Sequence, residues 1–166
     1  MAIGQSKQRL DAEAKVTGRA RYTDDMGLPG MRHAAYVHST IAHGMVLSID
    51  ASEALSLPGV EAVFTADDVP GFLFPTAGHP YSMDPARGDV ADRLLLTKHV
   101  RYYGDEVAVV VARDGLTARK AAHLVKVEDE PLPVVTSAET ALAPGAPVLQ
   151  PAINPDGNLL KQHTLE

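Results

Sequence analysis

The sequence predicts an α+β (mixed α/β) domain, and three observations carry that prediction. Val107 to Ala112 is a continuous apolar, β-branched run, the pattern of a strand covered on both faces. Ala118, Ala121, Ala122 and Val125 follow at i, i+3, i+4 and i+7, so the next segment is an amphipathic helix whose small residues allow close packing on that strand. The element order strand, strand, helix, strand, loop, strand, helix, strand contains no regular βαβ repeat and no internal duplication.

Taken along the chain, Arg9 to Thr17 predicts a short helix with Leu10, Ala14 and Thr17 on one side and Gly18 as its stop. Met31 to Ser39 reads as a strand. Met45 to Ile49 reads as a second, and the intervening Thr40 to Gly44 as the turn of a hairpin. Ala51 to Leu57 is a short helix with Asp50 or Ser52 as N-cap and Pro58-Gly59 as its end, and Val60 to Thr65 is a strand. Prolines and glycines then recur from Asp67 to Asp92, so neither helix nor central strand runs through that stretch. It nevertheless holds Phe72 and Phe74, two of the three phenylalanines, with Leu73, Tyr81 and Met83. Structureless loops above roughly 12–15 residues are usually functional or disordered, and disordered ones seldom carry so many large apolar side chains. This loop is expected to pack on something. Order resumes at Leu94 to Thr97 and Val100 to Tyr103, with the turn Gly104-Asp105 before the core strand. A strand at Lys126 to Glu128, a break around Pro131 and Pro133, and a short helix near Ser137 to Ala143 complete the domain.

The expected organisation is an extended or disordered start at 1–8, the domain at 9–143, and a linker at 144–166. That last stretch has four prolines, two glycines and no sustained apolar period, which suits a connector toward a missing partner domain. Leu165-Glu166 reads as an expression remnant. At 166 residues and a net charge of −6, with 15 basic against 21 acidic residues, no sequence-wide field attracts nucleic acid or anionic lipid. No secretory leader and no window near the ~18 apolar residues of a membrane span occurs, so a soluble, cytoplasmic protein is expected. The absence of cysteine excludes an iron–sulfur cluster, a thiolate zinc site, a disulfide and a cysteine nucleophile from this chain.

Catalytic patterns are missing as well. There is neither a G-x-G-x-x-G nor a G-x-x-x-x-G-K-[ST] phosphate cradle, and a turn explains Gly27 and Gly30 around Pro29. His33, His38 and His43 are spaced by five, which fits neither a helical nor a strand metal pair, so separate surface or satisfied imidazoles are expected. Asp24-Asp25, Asp67-Asp68 and Glu128-Asp129-Glu130 are adjacent rather than stacked, and are read as solvated turn or cap residues. Ser39 lies beside His38 but in no nucleophile elbow, and is read as a polar strand end.

Three stretches taken together carry a resemblance. Asp11-Ala12 with Lys15-Val16-Thr17-Gly18-Arg19-Ala20-Arg21-Tyr22-Thr23-Asp24-Asp25, continued by Leu28-Pro29-Gly30-Met31, resembles the opening of the molybdenum-binding subunit of xanthine dehydrogenases and aldehyde oxidases. Leu57-Pro58-Gly59-Val60 with Val63-Phe64-Thr65-Ala66-Asp67-Asp68-Val69-Pro70 is similar to the strand and loop that follow in that family. Val100-Arg101-Tyr102-Tyr103-Gly104-Asp105, Val107 to Ala112, Ala118 to Val125, and Val127-Glu128 to Leu132-Pro133 resemble its second half.

The resemblance implies the α/β-hammerhead domain of such a subunit, as a noncatalytic scaffold. The implied whole enzyme is a xanthine dehydrogenase of purine metabolism. It hydroxylates a purine with oxygen from water and passes electrons through iron–sulfur centres and FAD to NAD. Residues around Ala77-Gly78-His79 and Asp89 to Leu96 resemble those of bacterial xanthine-type subunits, which implies purine rather than the aldehydes, carbon monoxide or other N-heterocycles of family variants. A stand-alone protein-interaction module is the reading of a different class. The molybdopterin cofactor, its molybdenum and the catalytic residues are implied to lie on later domains of the same subunit, and FAD and iron–sulfur centres on other subunits or domains. This chain is therefore expected to hold no catalytic, cofactor or metal residue, and Asn158-Leu159-Leu160 resembles the start of the connector. Phe72, Leu73, Phe74 and Tyr81 occupy the loop that partly walls the family's substrate funnel. They are expected either to line that approach or domain interface or to plug the domain's own core.

Overall fold

The structure, a computed structural model, describes residues 3, 4, 6–75, 90–160 and 162. The chain divides into two compact units, Met1–Met31 and Arg32–Glu166. The first holds helix α1 (Ala12–Val16) and a 3₁₀ turn at Thr23–Asp25. α1 is shorter than its sequence pattern, and its expected apolar side is not buried: Leu10 and Thr17 are exposed and Ala14 is only partly covered. Hydrogen bonds to its own backbone finish it, from Thr17 Oγ1 to the Glu13 carbonyl and from the Arg19 amide to that of Ala14, with Gly18 at φ 70° making the turn.

The second unit contains three small antiparallel sheets. Strands β1 (His33–His38), β7 (Glu106–Ala112) and β3 (Val60–Thr65) pair in the order β1-β7-β3. Strands β6 (His99–Val100), β2 (Gly44–Asp50) and β8 (Lys126–Pro131) pair in the order β6-β2-β8. Strands β4 (Phe74–Pro75) and β5 (Ala91–Arg93) form a two-stranded ribbon. The continuous apolar run is thus the middle strand of its sheet, as its composition demands.

The hairpin expected from Met31 to Ile49 does not form, because β1 and β2 belong to different sheets. Local contacts divert the chain at the end of β1. The Ser39 amide donates to the Asp105 carbonyl at 2.8 Å and the Gly104 amide to that of Ser39 at 3.0 Å, while a bulge interrupts pairing at Val37/His38. Gly44 then lets β2 lie directly against β8, since a Cβ there would sit 2.5 Å from the Glu130 carbonyl oxygen. Composition identified the first strand and alternation the second, but neither carried information about which strand each would pair with.

Helix α2 (Ser52–Ser56) buries Ala54, and its N-cap position is Ala51 rather than either expected residue. Asp50 still serves the helix start, with its carboxylate accepting from the Ser52 amide at 2.9 Å. Helix α3 (Gly115–Ala122) begins earlier than its apolar stripe because Asp114 caps it. The Asp114 carboxylate accepts from the Thr117 amide and hydroxyl, each at 2.8 Å, and these bonds hold its pKa at about 2. α3 packs on β1 and β7, and Ala118 and Ala121 are completely buried. Val37, Val46, Val100, Val107, Val110 and Val125 join Ala54, Ala108 and Ala121 in one apolar cluster. Helix α4 (Ala138–Ala141) starts at Ser137, whose hydroxyl accepts from the Thr140 amide.

No helix among the described residues is long and apolar enough to cross a membrane. Because α3 approaches β7 through alanines with no space to spare, Ala121→Leu should lower the unfolding free energy by about 1–3 kcal/mol. Urea denaturation monitored by circular dichroism measures this, with an unchanged m-value expected.

Candidate functional site

The segment after β3 begins with a tight turn. Asp68 accepts hydrogen bonds from the Thr65 amide at 2.7 Å and hydroxyl at 2.9 Å, which hold its carboxyl below the usual carboxylate range. Lys98 Nζ donates to Asp67 at 2.6 Å and pins the turn to the β5–β6 connection. Beyond it Phe72 is 68% exposed, Leu73 is 39% exposed, and Phe74 is half-buried in β4, where it pairs with Arg93. None of the three belongs to the apolar cluster beneath β7. Tyr81, like Met83 and Ala77-Gly78-His79, lies outside the described residues. Met45, Val69, Leu94 and Leu96 line a cavity of about 290 Å³ beside this segment, together with Lys98 and His99.

A polar network holds the other side of β5. Arg93 Nη2 donates to the Tyr102 hydroxyl at 2.6 Å and to Glu106 Oε2 at 2.7 Å, and its guanidinium carbon lies 5.5 Å from the Tyr102 ring centroid. Asp105 is buried and accepts from the Arg101 amide at 2.9 Å. Burial pushes the Tyr102 hydroxyl's pKa up, reinforced by the Asp105 and Glu106 charges. Arg101 Nε in turn donates to the Leu149 carbonyl at 2.9 Å. The Asn158 side chain then ties the tail together: it accepts from the Leu149 amide at 2.8 Å and donates to the Ala141 and Pro147 carbonyls, each at 2.9 Å. The proline-rich tail is therefore held against the unit by polar bonds that no apolar periodicity announces.

The histidines separate. His38 Nδ1 lies 2.8 Å from the Gly104 carbonyl, and Ser39 Oγ bonds to the backbone of Ile41 instead of to His38, so these two form no nucleophile–base pair. His43 is buried, and its Nδ1 lies 2.6 Å from the Pro133 carbonyl, which can only accept. His43 therefore carries its proton on Nδ1, leaving Nε2 to accept from His99 Nε2 at 3.1 Å. His99 stands 56 residues away from His43 and no sequence motif links the two. Among the acidic neighbours, Asp25 caps the Tyr22 amide and Glu128 accepts from Ser48, as turn and surface residues do. Asp129 departs from the expected solvated role, because its Oδ1 is buried with no hydrogen-bond partner.

Residues 17–133 match the family described as "Aldehyde oxidase and xanthine dehydrogenase, a/b hammerhead domain". The chain belongs to that hammerhead family. It is 58% identical over 157 residues to the xanthine dehydrogenase molybdenum-binding subunit of Escherichia coli O157:H7, covering 95% of this chain and 20% of the relative. Among solved structures it is similar to the reconstituted CO dehydrogenase from Oligotropha carboxidovorans, with TM-score 0.77 and 38% identity over 90% of this chain and 18% of that one. It is also similar to the aldehyde oxidoreductase of Desulfovibrio gigas, with TM-score 0.73 and 37% identity over 86% of this chain and 16% of that one. The chain thus spans about a fifth of the length of the curated relatives it matches.

The donors among the described residues do not fit a metal. Among the described residues no three His, Asp or Glu side chains converge as ligands, and the chain has no thiolate. The His43–His99 pair supplies two nitrogens and is already engaged internally. No reaction step is assigned to a metal held here.

The same pair makes folding pH-sensitive. Burial, then the Arg101 and His43 charges, push the His99 pKa below its ordinary 6.5, with Asp105 opposing. Since the unfolded imidazole binds a proton more readily, this stability is full above 6.5 and is lost as pH falls through 6.5 toward the folded value. Thermal unfolding should show a drop in Tm between about pH 7.5 and pH 5.5, and His99→Gln should flatten that drop.

Proposed function

We propose that this chain is the N-terminal hammerhead domain of the molybdenum-binding subunit of a xanthine dehydrogenase. The identity of 58% across 95% of the chain carries the reading. The whole enzyme hydroxylates a purine, with water as oxygen source, and passes electrons through iron–sulfur centres and FAD to NAD in the cytoplasm. The molybdopterin cofactor and catalytic side chains belong to the length of protein outside this chain; here Ser39 and His38 do not pair, and no three metal-donor side chains converge among the described residues.

The domain's own contribution is surface and position. An exposed phenylalanine is costly to leave in water, and Phe72 with Leu73 offers an apolar wall next to a formed cavity. With Phe74 it lines the approach to the reacting centre or the interface with the cofactor domains, where flat aromatic side chains suit a planar heterocycle. A second reading, a molybdenum hydroxylase acting on carbon monoxide or an aldehyde, has support in the likeness to those two solved enzymes, though at lower identity.

Purified with its partner subunits, the full-length protein should contain molybdenum and reduce NAD with xanthine, faster than with aldehydes or carbon monoxide. Phe72→Ala should raise KM for xanthine several-fold while molybdenum content and subunit assembly stay unchanged. Oxidation of aldehyde or carbon monoxide in place of xanthine would establish the second reading.

A further inference from the structure

β1 is an edge strand with an unusual composition for its position. One side pairs with β7 and the other pairs with nothing among the described residues. Open edges are normally guarded by charge, proline or brevity. The other edges follow that rule: β3 carries Glu61, ion-paired with Arg32; β8 carries Lys126, Glu128, Glu130 and Pro131; β6 is two residues long. β1 reads His33-Ala34-Ala35-Tyr36-Val37-His38, without a formally charged residue or a proline, and its bulge lies only at the far end, leaving 33–37 regular.

That edge opens onto a cavity of about 540 Å³. Consecutive residues from Ala35 to Thr40 line it, which identifies the backbone edge of β1, since one face of a strand would contribute alternate residues only. The opposite wall is the reverse case. Val125, Val127 and Asp129 alternate, so β8 and the residue before it present one side-chain face, and Ala122 of α3 extends the apolar part. Asp129 Oδ1 is the buried oxygen with no partner, and burial alone raises its carboxyl's pKa. An unpaired strand edge facing an apolar wall is costly, and an added strand relieves it.

We infer that the slot between the β1 edge and the Val127–Asp129 face receives an extended segment from the remainder of the same polypeptide, which adds a strand to β1. Strand addition gives the main-chain hydrogen bonds, and alternate side chains of the incoming segment cover Ala122, Val125 and Val127. This inference rests on the proposed function for its source of chain, because the relatives are about five times longer than the 166 residues here.

Photocross-linking in the full-length protein, assembled with its partner subunits, tests it. His123 and Tyr103 both line the slot and are exposed, so each is replaced separately, His123→p-benzoylphenylalanine and Tyr103→p-benzoylphenylalanine. After irradiation both should link to one contiguous stretch of the same polypeptide beyond residue 166. Links confined to residues 1–166, including 76–89, links to a different subunit, or no link from either position would overturn the inference. Molybdenum content and xanthine oxidation of the same preparations separate the two failures. Active, molybdenum-containing enzyme without the expected link rejects the slot and leaves the function standing, whereas protein lacking both rejects the function.

Discussion

The burial of β7 against the alanine face of α3 is the constraint on which the rest of the second unit depends. Val107, Val110 and Ala112 have no exposed surface, and neither do Ala118 and Ala121 above them. Each buried valine contributes roughly 1.5–3 kcal/mol relative to exposure, and the alanines contribute mainly by permitting the approach. Both ends of β7 then serve as anchors. At its start Asp105 and Glu106 hold Arg101 and Arg93, which fix β5 and the tail; just past its end Asp114 caps the helix that covers it. The apolar Phe72–Phe74 segment is positioned through β5, and hence through the same strand.

Much of this was legible locally. The continuous apolar run predicted the central strand, the i, i+3, i+4 spacing predicted α3, and Pro58-Gly59 marked the end of α2, because each depends on neighbours within a few residues. Apart from helix starts, such as Ala51 at the N-cap of α2, the features that failed or went unseen are non-local. Composition in β1 and alternation in β2 predict strands without naming partners, so the chain was expected to fold back on itself when contacts with Gly104 and Asp105 send it to another sheet. His43 looked like one of three equally spaced imidazoles, but its partner is His99. Asp129 looked like the middle of a solvated acidic run until strand pairing turned its carboxylate inward. For the apolar loop the sequence indicated that something must cover it, and the structure leaves Phe72 facing outward.

These observations describe a domain whose chemistry lies in what it presents. Its polar groups satisfy one another in the Arg93–Glu106–Tyr102 network, the histidine pair and the helix caps, and Ser39 bonds to Ile41 rather than to His38. What remains uncovered points outward: an exposed phenylalanine and an unguarded strand edge. Surfaces of this kind suit a scaffold that completes its burial against more protein, in keeping with a chain that covers about a fifth of its relatives.

Native-state hydrogen exchange across a series of sub-denaturing urea concentrations tests the central role of β7 most directly. The amides of Val107 to Ala112 should exchange only through global unfolding of Arg32–Glu166, with the β4–β5 ribbon opening at lower free energy. Exchange of β7 through a local opening while β2 and β8 stay protected would contradict the account.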